Sequence, residues 1–493
     1  MAAADALVTR IRTLPLVAWA WASFAVIVPL AFALNIWQDE AYTLHTTAHG
    51  VAYAFAEALR FEQNAPLYFV LLALWRHIGN SIFFLRLFSV LCAAGTLALA
   101  PHLCRRYLPR ADSTLATIAL AWNPFFIWAA LEMRVYAMIV LLSALLLLAF
   151  YDAFLAENRN RFAPVLYALC AALALYTQYY LAFLIAAQFA ALCLYRRERV
   201  VTFLLCAGAA VVAFVPMLAI VPGQVQNFRS PFAGPDTVLH SVGVIGSIIA
   251  HYVLPLPLAH PKLVYAVLAV AAAAWFVLVR RWFRKSGDAL IVIVTALAAL
   301  LFALVTFAEG VDVLTRHAAA LYVPAIFSVF GVLTFLRPDA RKRAAIAWFC
   351  ISLAASSATI AATYRHLAKP GDWQRVVAVL DARERPGEPI AVFEAENALP
   401  LAYYYRGPNR IVPVPSAVNF RRYDVNSFVV RSAAQLRATM PRSKRLWLIT
   451  AGQCSSGSVD FGCAVMERYV AARYRVEYDA QFFQSRLRLL SQP

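Results

Sequence analysis

Charged side chains are scarce in this sequence. Only 14% of its 493 residues are Asp, Glu, Lys or Arg, whereas 62% are hydrophobic, and the mean hydropathy is +0.67. A typical soluble domain is about one quarter charged and about one half apolar, so the composition excludes that class of protein. We therefore predict a polytopic α-helical membrane protein.

Acidic residues are scarcer than basic ones, and this imbalance has two interpretations. The chain has 26 Asp and Glu against 44 Lys and Arg, a formal net charge of +18. Such a charge can indicate a nucleic-acid partner. Here, however, the basic residues form short clusters between apolar runs, which is a pattern typical of membrane topology. We therefore expect the lipid bilayer, and no nucleic acid, as a partner.

Apolar runs near the ~20 residues needed to cross a bilayer recur through most of the chain. They predict about eleven spans, at 14–36, 83–103, 113–131, 135–153, 162–176, 180–195, 200–221, 262–280, 288–308, 316–336 and 344–363. The first run follows Arg10 and Arg12 and is closer in length to a full span than to a signal peptide. It predicts an uncleaved first helix with the N-terminus in the cytoplasm.

The apolar segment 67–79 sets the orientation of everything that follows it. If this segment does not cross the membrane, the later basic clusters all face the cytoplasm together with Arg10 and Arg12. If it does cross, those later clusters all lie outside. The positive-inside rule therefore makes 67–79 a juxtamembrane helix at the outer surface. The outer segments are then predicted at 37–82, 222–261 and 365–493, and the transmembrane domain covers 1–364.

The region 365–493 lacks the features of several common sites. It has no glycine-rich phosphate loop, no HExxH motif and no Cys or His spacing typical of zinc. It does alternate short apolar runs with helix-like stretches, which predicts a small α/β domain. The predicted strands are Pro389–Phe393, Ile411–Val414 and Leu446–Thr450, and the predicted helices are Ala398–Arg406, Ala433–Met440 and Ala464–Arg473.

Two acidic residues, Asp39 and Glu40, directly follow the first span, and Glu62 precedes the Pro66 helix start. Carboxylates at the mouth of a membrane span are costly to place there, which favours a functional role. The alternative is that Asp39 and Glu40 mark the water boundary of the first helix and cap the next one. Position alone does not separate these two interpretations.

Further charged residues are predicted at the outer ends of other spans: Arg86, Glu132, Arg134 and Arg316. Each has a simple structural alternative: Arg86 and Arg316 snorkel to the surface, and Glu132 and Arg134 form a local ion pair. Mid-span acidic residues, which ion-coupled transporters usually need, are nearly absent. The set favours group transfer from an anionic lipid, with a carboxylate as general base and arginines on a phosphate leaving group.

Seven motifs in order resemble a known family. They are DEAY, PLYFVLLALW, LRLFS, NPFFIWAALEMRVYAM, LYTQYYL, TRHAAALYVP and GDWQRVVAVL. In this order they are similar to the bacterial branch of the protein O-mannosyltransferase superfamily, GT-C glycosyltransferases to which the lipid A aminoarabinose transferases are related. The chain departs from the family pattern at Asn64-Ala65, Gln178 and His317.

The resemblance implies an inverting glycosyltransferase in the bacterial inner membrane, with its C-terminal domain in the periplasm. It implies a polyprenyl-phosphate sugar donor and an envelope acceptor that is a lipid, polysaccharide or protein. Asp39 would be the catalytic base and Glu40 would support the site. Arg86 would arrange the first loop, and Arg316 would lie near the donor phosphate. Glu132 and Arg134 would match a second acidic site, to which we also assign Glu62.

Three questions stay open at this stage. The first is function, because a lipid-linked sugar transporter and an inactive envelope-assembly scaffold remain alternatives. The second is metal dependence: no cofactor is required, but Asp39, Glu40 and Glu132 would share a divalent cation if they converge. The third is Cys454 and Cys463, which lie in the outer domain and are either a disulfide or two free thiols.

Overall fold

The computed structural model describes residues 18–157, 160–227, 234–256, 287–310, 313–452, 454–456 and 459–492. The predicted span at 262–280 lies outside these residues, as do residues 14–17 of the first span. Arg10, Arg12 and the basic cluster at 280–285 lie outside them too.

The first part of the chain is helical. In chain order its helices are α1 (Phe24–Ala33), α2 (Gln38–Thr46), α3 (Val51–Arg60), α4 (Leu67–Arg76), α5 (Ile82–Tyr107), α6 (Ser113–Ala121), α7 (Pro124–Leu131), α8 (Tyr136–Phe150), α9 (Ala163–Leu175), α10 (Leu181–Tyr195), α11 (Val200–Leu218), α12 (Val221–Asn227), α13 (Val238–Val253), α14 (Gly287–Glu309), α15 (Tyr322–Leu333) and α16 (Pro338–Tyr364). A 3₁₀ turn, Thr315–Leu321, leads into α15.

Six helices in the described part of the chain are long and apolar enough to cross a membrane, or up to eight spans if two bent pairs each count as one. Each predicted span that falls on described residues coincides with a helix or a bent pair. Helices α9 and α10, with 13 and 15 residues, are shorter than the ~20 residues of a full span.

The two bends have local causes. Helices α1 and α2 meet at 76° because the chain between them is extended, as at Leu34 and Trp37. Helices α6 and α7 meet at 52°. There the Asn123 side chain accepts a hydrogen bond from the Phe125 N–H at 3.0 Å, and Pro124 occupies the first helical position, where no N–H is needed.

The predicted loops contain more helix than expected. The segment expected as an outer loop at 222–261 holds α13, and Ser241 Oγ of that helix donates to the Ala303 carbonyl in α14 at 2.7 Å. The predicted helix at 67–79 is present as α4, whose ten residues span only about 15 Å. That length is half of the ~30 Å hydrocarbon core.

The C-terminal part forms the small α/β domain that the sequence predicts. Its helices and strands are α17 (Trp373–Arg383), β1 (Ile390–Phe393), α18 (Ala398–Tyr404), β2 (Ile411–Val414), α19 (Ala433–Thr439), β3 (Arg445–Ala451), β4 (Ser455–Ser456), β5 (Val459–Asp460), α20 (Cys463–Arg473), β6 (Arg475–Phe482) and β7 (Ser485–Ser491). The three predicted strands and three predicted helices are confirmed within a few residues, whereas α17 and the β6–β7 hairpin were missed.

The main sheet has the order β2-β1-β3-β7-β6 and is covered on both faces. Strand β1 runs parallel to β2 and β3, and β7 runs antiparallel to β3 and β6. Successive side chains of a strand point to opposite faces, so Ala391 and Phe393 pack on one face with α19 and α20, while Ile390 and Val392 pack on the other with α17 and α18. This explains why the predicted strands are continuous apolar runs.

Candidate active site

Asp39 and Glu40 lie in the first turn of α2 and point in different directions. Consecutive residues of an α-helix are about 100° apart around its axis. The Glu40 side chain is fully buried, whereas the Asp39 side chain is 16% exposed. The two adjacent acids therefore have different partners.

Arg86, in the second turn of α5, holds Glu40 on both carboxylate oxygens. Its Nε and Nη2 atoms donate to Oε1 and Oε2 at 2.9 and 2.7 Å. Its other N–H groups donate to the carbonyl oxygens of Ala31, Leu34 and Asn35. All five guanidinium donors are used and the side chain is fully buried, so the snorkelling alternative is wrong. The pair fixes the end of α1 to the start of α2.

Lys369, which the sequence analysis did not single out, completes this part of the site. Its Nζ atom lies 3.0 Å from Glu40 Oε1 and 2.9 Å from Glu132 Oε1, and it donates to the Leu131 carbonyl at 3.0 Å. Its backbone N–H donates to the Asn35 side chain at 2.8 Å. The partners lie far away in sequence, 238 residues in the case of Leu131. No local sequence pattern therefore indicates that Lys369 pairs with Glu40 and Glu132.

Glu132 and Arg134 do not pair with each other. Glu132 Oε2 accepts from Trp37 Nε1 at 2.6 Å. Arg134 Nη1 lies 2.9 Å from Glu62 Oε2 and donates to Thr43 Oγ1 at 2.9 Å. Burial raises the pKa of Glu62, and the Arg134 guanidinium opposes that rise. The local ion pair considered from the sequence is therefore wrong, and the junction between α7 and α8 instead contacts α2 and the loop before α4.

Asp39 and Arg316 form the loosest ion pair of this group. Arg316 Nη1 lies 3.4 Å from Asp39 Oδ2, and the two side chains are 29% and 16% exposed. The Arg316 guanidinium also lies 5.9 Å from the centre of the Trp37 ring, within range of a cation–π contact. Arg316 therefore pairs with Asp39. The snorkelling alternative requires only that its charged end reaches the membrane surface.

The charges of this cluster balance. Four acids face four bases: Asp39, Glu40, Glu62 and Glu132, with Arg86, Arg134, Arg316 and Lys369. Three of the acids are almost completely buried, which requires such pairing. An anion that arrives at Arg316 would compete with Asp39 and free its carboxylate.

A cavity of about 330 Å³ opens beside Arg316. Its lining includes Phe125, Trp128, Ile360 and Tyr364, and Arg316 supplies a charged group. Apolar walls with one cation suit an apolar chain that ends in an anionic group.

Two further observations concern the candidate metal ligands and the cysteines of the C-terminal domain. Among the residues that the structure describes, no three His, Cys, Asp or Glu side chains are grouped to hold a metal ion. Asp39 faces Arg316, and Glu132 faces Lys369. Cys454 and Cys463 are joined by a disulfide that links the residue before β4 to the start of α20.

Two departures from the family pattern shape turns beside the site. Asn64 Nδ2 donates to the Glu62 carbonyl at 2.9 Å. His317 Nδ1 accepts from the Leu314 N–H at 3.3 Å, in the turn that carries Arg316. Gln178, the third departure, is buried, and its Oε1 atom has no hydrogen-bond partner among the described residues.

The acid–base cluster joins three parts of the fold. Long apolar helices carry a balanced acid–base cluster where α1 meets α2 and where α7 meets α8, and a small α/β domain contributes Lys369 to it. The helical architecture is the kind that the motif order implied, a GT-C fold.

Comparison with known proteins supports this fold. Residues 63–221, about one third of the chain, match the family model of the dolichyl-phosphate-mannose-protein mannosyltransferases. The fold is similar to ArnT from Cupriavidus metallidurans over nearly the whole of both chains. For the apo structure the TM-score is 0.58, with 11% identity and 96% of this chain and 98% of that chain covered.

The same similarity holds for the ArnT structure bound to undecaprenyl phosphate. There the TM-score is 0.60, with 11% identity and 97% and 98% of the two chains covered. At this identity the likeness shows the fold. Comparison with curated protein sequences gives no match. The resemblance drawn from the motifs is thus confirmed by a family model and by a shared fold.

Proposed function

We propose that this chain is an inverting glycosyltransferase of the bacterial inner membrane that moves a sugar from a polyprenyl-phosphate donor to an envelope acceptor. The observation that carries the proposal is the accessible Asp39–Arg316 pair beside the apolar cavity. The family match and the ArnT-like fold support it, and ArnT itself has been solved with undecaprenyl phosphate.

Asp39 is the general base of this reaction. It takes the proton of the acceptor hydroxyl as the acceptor oxygen attacks the anomeric carbon from the face opposite the phosphate. The bond between that carbon and the phosphate oxygen breaks, and the lipid phosphate leaves with the electron pair. A single displacement of this kind inverts the anomeric configuration.

Arg316 neutralises the departing phosphate. A guanidinium binds phosphate oxygens through charge-assisted hydrogen bonds, and these strengthen as negative charge develops. The cavity beside Arg316 receives the part of the lipid chain next to the phosphate. A buried group of charged side chains next to the Asp39–Arg316 pair holds α2 in place. Its members are Glu40, Arg86, Lys369 and Glu132.

The reaction takes place on the periplasmic side. This side follows from the positive-inside rule, which predicts the segment 37–82 with Asp39 and the C-terminal domain at the outer face, and the N-terminus in the cytoplasm. Mass spectrometry of the cell envelope identifies the sugar and the acceptor.

The test compares envelope glycolipids, polysaccharides and glycoproteins by mass spectrometry. Cells carry the wild-type chain, no chain, or the Asp39→Asn variant. We expect one sugar to be missing from one product both without the chain and in Asp39→Asn, because Asn cannot accept the proton. Asp479→Asn is the matched control, since it disrupts an exposed Asp–Arg pair, with Arg486, in the sheet.

If deletion changes the envelope but Asp39→Asn does not, Asp39 is not the base, and the transporter or scaffold alternative takes precedence. A second variant, Arg316→Ala, should raise the KM for the donor and lower kcat. Unchanged values of both constants would contradict the phosphate role.

A further inference from the structure

The loop after β1 projects from the C-terminal domain towards α2. Strand β1 lies between β2 and β3, and the chain runs from β1 to β2 on one side before it returns to β3 on the other. In open α/β sheets, functional groups often lie beyond the carboxyl ends of strands at such a reversal. Glu394, the first residue after β1, has a left-handed backbone with φ +55°, so the loop turns sharply there.

Glu396, two residues further along, contacts the helix that carries Asp39. Its Oε1 atom accepts hydrogen bonds from the Tyr42 hydroxyl and, at 3.2 Å, from the Tyr423 hydroxyl. Glu396 is only 8% exposed. Tyr42 follows Asp39 by three residues on α2, so the two side chains lie on neighbouring parts of one helix face.

Aromatic rings close the contact around this carboxylate. The Tyr42 ring lies 5.2 Å from the Phe61 ring and 6.2 Å from the Tyr423 ring. Phe420 stacks on His45 of α2, with ring centres 3.5 Å apart. Tyr423 and Phe420 of the C-terminal domain therefore pack against α2. Glu396 accepts the Tyr42 hydrogen bond within these aromatic contacts.

Glu394 and Glu396 differ from the acids of the active site in having no basic partner among the residues that the structure describes. Burial raises the pKa of Glu396 to about 7, against the hydrogen bonds of Tyr42 and Tyr423. Burial, with a further contribution from Glu396, raises the pKa of Glu394 to about 9. Glu396 thus changes charge near neutral pH.

We propose that Glu396 is a positioning residue for sugar transfer: through Tyr42 its carboxylate holds α2, and with it Asp39, in the reactive orientation. This inference rests on the proposed function, in which Asp39 is the base. It makes the C-terminal domain a part of the active site that supplies both Glu396 and Lys369.

The ionised form of Glu396 is the one that holds α2. A carboxylate accepts from both tyrosine hydroxyls at full strength, whereas a protonated carboxyl loses charge and acceptor capacity. The titratable groups that face Glu396 are Tyr42 and Asp39 from α2, Tyr423 from the loop before the Val425–Phe428 turn, and Glu394 from its own loop. Transfer should therefore speed up as pH rises through about 7.

The decisive variant is Glu396→Gln in the full-length purified chain. It keeps the shape and one acceptor oxygen but cannot ionise. We expect kcat to fall about tenfold, equivalent to about 1.4 kcal/mol of barrier, and the rise of kcat through neutral pH to disappear. The transfer assay follows formation of the glycosylated product that the envelope comparison identifies. Binding of undecaprenyl phosphate, followed by tryptophan fluorescence, should stay unchanged.

Glu394→Gln is the matched control. It removes a neighbouring buried carboxyl that does not contact Tyr42. Because the pKa of Glu394 is raised to about 9, this carboxyl is uncharged near pH 7, so kcat and its rise through pH 7 should match the wild type. Tyr42→Phe should reproduce the loss seen in Glu396→Gln. The double variant Glu396→Gln/Tyr42→Phe should be no slower than either single one, because both remove the same contact.

The results separate this inference from the proposed function. If Glu396→Gln has the kcat and pH profile of Glu394→Gln while Asp39→Asn is inactive, the positioning role is refuted and the glycosyltransferase proposal stands. If Asp39→Asn is active, the base assignment itself fails. If Glu396→Gln loses lipid binding and thermal stability together with kcat, Glu396 is only structural and the inference is overturned.

Discussion

Replacing Lys369 by Met removes one cation from a buried group of four charged side chains, Glu40, Arg86, Glu132 and Lys369. At an effective dielectric constant of about 20, each charge contact of ~3 Å contributes about 5–6 kcal/mol before desolvation is subtracted. Lys369 makes two such contacts, to Glu40 and Glu132. Arg86 still neutralises Glu40 in the variant, so Glu132 becomes the uncompensated buried carboxylate. Losses from breaking buried pairs in this way are about 3–5 kcal/mol, and we expect a loss of that size.

The assay is thermal unfolding of the full-length chain in detergent, followed by tryptophan fluorescence. Lys369→Met should have the lowest Tm, and the double variant Lys369→Met/Glu132→Gln should recover much of the loss. The reason is that Gln carries no charge and its amide oxygen can still accept from Trp37 Nε1. Lys342→Met is the matched control, because Lys342 is exposed and a surface change of this kind is usually worth less than about 0.5 kcal/mol.

Two results would refute this reasoning. Lys369→Met could prove as stable as Lys342→Met, which would mean that Lys369 does not neutralise the cluster. Alternatively, the double variant could be less stable than Lys369→Met alone, which would mean that the charge left on Glu132 is not the cause of the loss.

Two further predictions concern the C-terminal domain. Tyr404→Phe removes the hydroxyl that accepts the Ile36 N–H at 2.9 Å, leaves that donor unpaired and should cost about 1–3 kcal/mol. Faster amide hydrogen exchange at Ile36 than in the control Tyr403→Phe would show this, and equal rates would contradict it. Because burial raises the pKa of Glu394 from 4.5 to about 9, the folded chain holds a proton that the unfolded chain releases, and stability should fall as pH rises across that interval. Glu394→Gln should flatten this fall in Tm, and an unchanged slope would show that Glu394 is not its source.

Several features could be predicted from the sequence because each depends on residues close together in the chain. The apolar runs gave the helices, and the alternation in 365–493 gave three strands and three helices of the sheet domain. Asp39 and Glu40 were noticed because carboxylates are costly at the end of a span. The bend at Asn123-Pro124 was missed, although an Asn before a Pro is a typical helix start.

The pairing of charges could not be predicted in the same way. Glu132 and Arg134 are close in sequence and suggest a local pair, but helix packing brings Glu132 to Lys369 and Arg134 to Glu62. Lys369 follows a span and resembles many solvated lysines at such positions. Glu396 lies in a short 3₁₀ turn, Ala395–Asn397, with no motif. Their roles depend on partners from distant parts of the chain.

Composition and local pattern by themselves determined the membrane class, the helices, the α/β character of the C-terminal domain and the acidic pair on which the site is built. These follow from hydrophobicity and residue periodicity, which act over a few helical turns. Only the tertiary structure decided that Glu40 pairs with Arg86 and Lys369, that Asp39 keeps the loose contact with Arg316, and that Glu396 reaches α2. The physical reason is that a buried charge must find its counter-charge in space, and the packing of the whole chain determines which one it meets.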